Sequence, residues 1–469
     1  MNKLFTLLFK TLIIWLLLHF VFYNIITFSF WWDGTIWNIV RLRKEILLVI
    51  LFWSIVRVWY KDWWIVHIWK QLRTNTYIRF FTLWLIAFTA LWIYMTIYIH
   101  ELPLSSFFLA FKYDILFLLI FLIGYHAQTY ILKHKNHEKP ELTSQISNDT
   151  YTDADLPKII SRFGIVIKIL LWWAILRYMV IAIKPWTMKL LWYNNYSYEG
   201  NIWEPAPAAY YTDINQWYTR NQFLFERPTT RWFFLTACRP LFYILFIYGR
   251  PKKHTRVRWW LYGLNIVLTF SRAARGAWIF EIIAMWFLLR KNKKNISRFL
   301  IRTVIPLCLV LGILAYLGRD QIVSRSFSTT WHVDMLVQWW DMFLLDPLRW
   351  QWAATAWPWS HRGENIWFNP ENQFLQIMVE FGLLWFALRG TIYGSLHLLW
   401  LSWEKKEIEK RQVYVATSSS NIMLAICLWL CGLSISGMVL HSLSDRMVVY
   451  PFMLILGIVY AWYANKKSS

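Results

Sequence analysis

Cysteine is too scarce to build with. The chain has four, Cys238, Cys308, Cys427 and Cys431, each inside an apolar run. Neither a disulfide framework nor a zinc site is on offer, and packing is the role left to them. Carboxylates are also short, 26 Asp and Glu against 49 Lys and Arg, for a net charge of +23. In a soluble protein that excess would suggest nucleic acid. Here the basic residues fall mainly in short connections between apolar runs, where they act as topology signals and imply no nucleic-acid partner. The segment Lys133 to Asp155 reads as a solvated linker, and the repeated apolar runs set a soluble multidomain chain aside. No internal repeat stands out, which leaves a repeat-built transporter without direct sequence support.

Glycine is the least expected shortage. There are 16 Gly and 35 Trp in 469 residues, so glycine stands at about half of its usual share of roughly 7%. Aromatic belts at the two faces of a membrane enrich tryptophan but do not deplete glycine. In Pro347-Leu348-Arg349-Trp350-Gln351-Trp352-Ala353-Ala354-Thr355-Ala356-Trp357-Pro358-Trp359-Ser360, writing Gly for each Trp gives an ordinary flexible loop. The imbalance leads to the reading that many of these tryptophans are UGA codons meant as glycine.

What the chain has in abundance is apolar length: 58% of its residues are hydrophobic, in runs of roughly 17–25 residues that match a bilayer's thickness. Runs at 4–30, 44–60, 78–99, 107–132, 158–184, 231–249, 258–270, 276–290, 299–317, 373–401, 420–441 and 447–464 predict an all-α integral membrane fold of about twelve transmembrane helices. The first run is too long for a signal peptide and reads as a retained span. With the N-terminus inside, Lys61, Lys70 and Arg73, Lys133, Lys135 and Lys139, Lys252 and Lys253, Lys291 and Lys293, Lys405 and Lys406, and finally Lys466 and Lys467 all fall on the inner side. Both termini are then inside. Arg41, Arg43 and Lys44 depart from this pattern, as interfacial anchors or site residues. Four segments follow: N-terminal helices 1–184, an outer loop 185–230, a core 231–401 holding the large outer loop 318–370, and C-terminal helices 402–469. Outer connections this long are functional or disordered, and their aromatic content argues against disorder.

Two short stretches flank the large loop. The first is Ser271-Arg272-Ala273-Ala274-Arg275-Gly276-Ala277-Trp278, in the turn between the seventh and eighth runs. Guanidinium forks three residues apart share a helix face and can grip a diphosphate bidentately without a metal; the alternative is a pair of arginines snorkelling to the interface. The second is Pro370-Glu371-Asn372-Gln373-Phe374-Leu375-Gln376-Ile377-Met378-Val379-Glu380-Phe381-Gly382-Leu383-Leu384, at the start of the tenth run. Glu380 inside that run is functional or a polar tie between helices.

The Ser-Arg-Ala turn, the long outer loop and the Glu-Asn-Gln-Phe-Leu-Gln run together resemble the O-antigen ligase and O-antigen polymerase superfamily, over about residues 210–390. Asp346-Pro347-Leu348 fits too, followed by Trp350-Gln351-Trp352 where family members commonly have Gly-x-Gly. The resemblance implies a metal-independent glycosyltransferase of the GT-C type, without cofactor, in the cytoplasmic (inner) membrane. It would take a glycan from an undecaprenyl-diphosphate-linked oligosaccharide at the outer face and pass it to a hydroxyl of a glycan or lipid acceptor. By that analogy Arg272 and Arg275 hold the departing diphosphate, and Asn372 belongs to the substrate site. Arg220 is a further donor contact, with Arg227 as its alternative, and Arg325 another, with a surface salt bridge as the plain reading.

The acceptor hydroxyl needs a general base. Ligases of this family carry a His before the Asn at the start of the tenth span, where this chain has Glu371; that departure favours polymerase over ligase. Glu371 serves as base if burial raises its pKa, or it is a carboxylate stabilised at a helix start. His332 and His361 are the other candidate bases. A transporter or flippase of lipid-linked glycans is the competing class, but it would need cations along a central cavity, whereas the polar groups here gather at the outer ends.

Overall fold

The computed structural model describes residues 75–94, 97–98, 111, 115–137, 171–176, 194–197, 208–210, 326–345 and 446–468. It also describes scattered helical positions at 46, 49–50, 52–53, 56, 73, 169, 179, 235, 261, 264–265, 280–281, 283, 305, 374–375, 378–379, 383, 428–429 and 432. Four helices and one strand pair result: α1 (Thr76–Tyr94), α2 (Leu116–His137), β1 (Asn194–Ser197), β2 (Ala208–Tyr210), α3 (Ser326–Leu345) and α4 (Arg446–Ser468).

Asn75 starts α1. Its side-chain oxygen accepts from the backbone N–H of Tyr77 at 3.2 Å and of Ile78 at 3.3 Å, and its carbonyl takes the first full-turn bond, from Arg79 N–H at 3.0 Å. That is an N-cap, which satisfies donors the helix cannot satisfy itself. No Gly or Pro interrupts the sequence that follows. Ile78, Phe81, Leu85, Phe88 and Trp92 form its buried stripe, while Phe80, Leu83, Ile86 and Tyr94 stand exposed on the other side. A helix apolar all round suits a core or a bilayer. Among the described residues α1 alone is long and apolar enough to cross a membrane; Leu116–Ile131 and Val449–Ala461 are shorter apolar stretches. Most of the other expected runs are met only at isolated helical positions, and the first lies outside the described residues.

α1 and α2 lie antiparallel. Phe81 meets Phe121 of α2 at 4.9 Å between ring centroids, and Trp92 meets Phe111, ahead of α2 in sequence, at 6.0 Å, so rising numbers on α1 meet falling numbers on the stretch that leads into α2. α4, from the far end of the chain, closes the group. A Cβ on Gly124 would sit 2.5 Å from the Leu454 carbonyl oxygen. One on Gly457 would strike the Phe121 carbonyl oxygen and come within 2.8 Å of the Tyr125 nitrogen. The two backbones touch through reciprocal glycines, which only a missing side chain permits. Beside this crossing the Tyr460 hydroxyl donates to the Asn75 side-chain oxygen at 3.2 Å, and its ring lies 5.6 Å from Tyr125 and 6.2 Å from both Phe121 and Tyr77. The cap of α1 is thus also its tie to α4.

Either Gly124→Ala or Gly457→Ala is expected to force α2 and α4 apart and cost about 1–3 kcal/mol, the usual range for overpacking. Thermal unfolding of the detergent-purified protein measures it, and an unchanged midpoint for both variants would refute the crossing.

The expected outer loops contain structure of their own. In 185–230, β1 and β2 pair in parallel, Asn194 opposite Ala208 and Ser197 opposite Tyr210, with an irregular register between; no strand was expected there. In 318–370 the surprise is α3, a helix of 20 residues. Trp339 and Phe343, one turn apart, pack with Leu375 and Val379, also one turn apart, and Met378 flanks them.

Candidate functional site

Of the residues singled out by sequence, His332 lies within α3, though its side chain is outside the described set. Arg220, Arg272, Arg275, Arg325, His361, Glu371 and Asn372 lie outside the described residues. What the structure gives is the frame on either side of them.

The first part of that frame is the cluster of α3 with the tenth run. Leu375 and Val379 share one helix face through their four-residue spacing, and that face receives Trp339 and Phe343. Trp339 is 1% exposed and Val379 likewise, so this contact is a dry core. The helix that carries His332, and that follows Arg325 directly in sequence, is therefore fixed against the segment that follows Glu371 and Asn372. The packing of two apolar helix faces holds them there.

The second part brackets the Ser271–Trp278 stretch. Asn265 precedes it and is fully buried. Its amide donates to the Leu261 carbonyl at 2.7 Å and to the Leu171 carbonyl at 3.3 Å. The bond to Leu171 ties the seventh apolar run to the fifth, the kind of interhelical polar contact that apolar surroundings favour. Glu281 follows the stretch and is also fully buried. A carboxylate in such a place is costly unless it is protonated or held by polar partners, and ionisable groups within apolar runs concentrate at functional sites.

Sequence reasoning passed over both Asn265 and Glu281. The signal was available, since each is a polar residue set between large apolar ones, Leu264-Asn265-Ile266 and Phe280-Glu281-Ile282. His126, buried in α2 with its ring 5.0 Å from Tyr125 in an edge-on contact, belongs to the α1/α2/α4 core and not to this frame.

Two helical elements, α3 and the positions at 374–375 and 378–379, are thus locked together, and the helical positions at 261 and 264–265 are tied by a polar bond to Leu171. Compared with known protein families, with curated proteins and with solved structures, the chain matches none.

Proposed function

We propose that the chain is a multi-pass inner-membrane glycosyltransferase, resembling the O-antigen ligase and polymerase superfamily, that transfers a glycan from undecaprenyl diphosphate to an acceptor hydroxyl at the outer face. Polymerisation of a polysaccharide is favoured over ligation because Glu371 stands where ligases have histidine.

The observation that carries this reading is the order of its motifs: an arginine pair in a short turn, a long outer loop, then Glu371-Asn372 opening an apolar run. The dry contact of α3 with Leu375 and Val379 supports it, because it gives the loop a rigid seat beside the second motif. The lipid-like exposure of Phe80, Leu83 and Ile86 on α1 supports the membrane setting.

In this chemistry the bond between the anomeric carbon and the diphosphate oxygen breaks, and a bond from that carbon to the acceptor oxygen forms. The acceptor's proton passes to the base, Glu371 or one of His332 and His361. Negative charge gathers on the departing diphosphate, where Arg272 and Arg275 neutralise it with bidentate hydrogen bonds. Arg220 and Arg325 add cationic contacts to the donor, and Asn372 orients a sugar or phosphate oxygen. No metal is required because guanidinium groups supply the charge.

Purified protein in liposomes, given a labelled undecaprenyl-diphosphate oligosaccharide, is expected to release undecaprenyl diphosphate while the glycan lengthens or moves to a second lipid. Transfer of intact donor between leaflets with no cleavage would overturn the enzyme reading in favour of a flippase.

A further inference from the structure

α3 has three faces. Trp339 and Phe343 form the buried one, and the exposed remainder is itself divided. Val333, Val337, Trp340 and Leu344 make an apolar stripe, each exposed by 49–55%, while Asp334, Gln338 and Asp341 make an exposed polar stripe beside it. The polar stripe is the first three positions of the apolar one advanced by a single residue, a rotation of about 100° on a helix of 3.6 residues per turn, and the exposed Leu345 ends it at the helix C-terminus. A helix wholly in water gains nothing from the first stripe, and a helix wholly in lipid is penalised for the second. A helix lying along the boundary between the two suits both.

Two further observations select the boundary. The buried face of α3 sits on Leu375 and Val379, and the same run continues to the exposed, apolar Leu383, so α3 adjoins what we read as the outer end of the tenth span. α3 also contains no Lys or Arg, unlike the connections assigned to the inner side.

We propose that α3 lies along the outer surface of the bilayer, with the Val333–Leu344 stripe sunk among acyl chains of the outer leaflet and the Asp334–Asp341 stripe in water. This rests on the membrane reading above and adds a purpose to the loop: α3 holds the backbone at Arg325 and His332 level with the headgroups, where a lipid-linked diphosphate resides. Its acidic stripe disfavours anionic lipid beneath it and leaves the phosphate-binding task to the arginines.

The test uses a chain whose four native cysteines are replaced by serine, with single probes at Val337→Cys and Leu344→Cys on one stripe and Asp334→Cys and Asp341→Cys on the other. Ile86→Cys on α1 is the membrane control. In spheroplasts treated with a membrane-impermeant maleimide, the two aspartate positions are expected to label. Val337, Leu344 and Ile86 positions are expected to stay unlabelled until detergent is added. Labelling of the Val337 and Leu344 positions as fast as the Asp341 position, with Ile86 still shielded, overturns this inference alone; labelling at Ile86 as well overturns the membrane reading beneath it. Protection that persists in detergent, or disulfide-linked dimers through Val337, would mean that protein or a second copy covers the stripe and would likewise overturn it. Val333→Cys is a substitute probe on the same stripe should Val337→Cys fail to accumulate.

Discussion

Alanine at Arg272 or Arg275 is expected to lower glycan transfer by roughly 10²–10³-fold, the loss seen when one donor to a developing oxyanion is removed. The two positions sit three apart in sequence, ahead of the eighth run, and in the proposed role each supplies a fork to one diphosphate, so that neither replaces the other. Lysine at Arg275 retains the charge and loses the fork, and an intermediate rate is expected. Glu371→Gln is the companion variant. It keeps the size of the side chain and removes the base, so a fall of about 10²–10⁴-fold is expected, with donor binding retained. Initial rates on the lipid-linked oligosaccharide in liposomes, alongside donor binding and thermal midpoint, separate the cases. Arginines that merely snorkel to the interface would leave transfer at the parental level after substitution, and that result would remove the leaving-group role. If Glu371→Gln is active and either His332→Ala or His361→Ala is not, the base is that histidine.

The apolar helices were legible in outline because their cause is local. α1 follows from Asn75 as a cap and an apolar stripe at three- and four-residue spacing, and its observed span, 76–94, overlaps the expected 78–99. At 97–98, inside the expected run, the chain winds more widely, as a π turn, with Tyr94 and Tyr98 stacked at 5.8 Å; hydrophobic spacing does not register a change of helix type. α3 was missed for a different reason. A helix with one buried, one apolar and one polar stripe has no single apolar side, so its pattern blurs into that of an aromatic loop. The glycine crossing of α2 and α4 and the seat of α3 on Leu375 were invisible because each joins residues far apart in the chain. Of the candidate site, the order of motifs was readable while its rigid support was not.

The gene is expected to carry UGA at Trp350, Trp352, Trp357 and Trp359, and the functional chain to carry glycine there. Four indoles within residues 350–359 would each present on the order of 150–250 Å² of mostly apolar surface, enough for an aggregation-prone patch on any loop that faces water. Glycines in those places let the backbone bend freely and approach a ligand closely, and they turn Trp350-Gln351-Trp352 into the Gly-x-Gly of the resembling family. The described tryptophans at 84, 339 and 429 are seated differently, each packed against apolar or aromatic neighbours. Trp339 packs its indole against Phe343, Leu375 and Val379, as a genuine tryptophan does. Trp84 stacks on Phe88 with ring centroids 5.1 Å apart, and Trp429 stacks on Phe452 at 5.0 Å. In a host that reads UGA as stop, the unaltered gene is expected to yield truncated fragments. A version with glycine codons is expected to yield full-length, active protein, and one with tryptophan codons a full-length chain that aggregates. Codons that are nearly all UGG, or a native peptide whose mass requires Trp at 350 and 352, would end the idea and return the loop to an aromatic one.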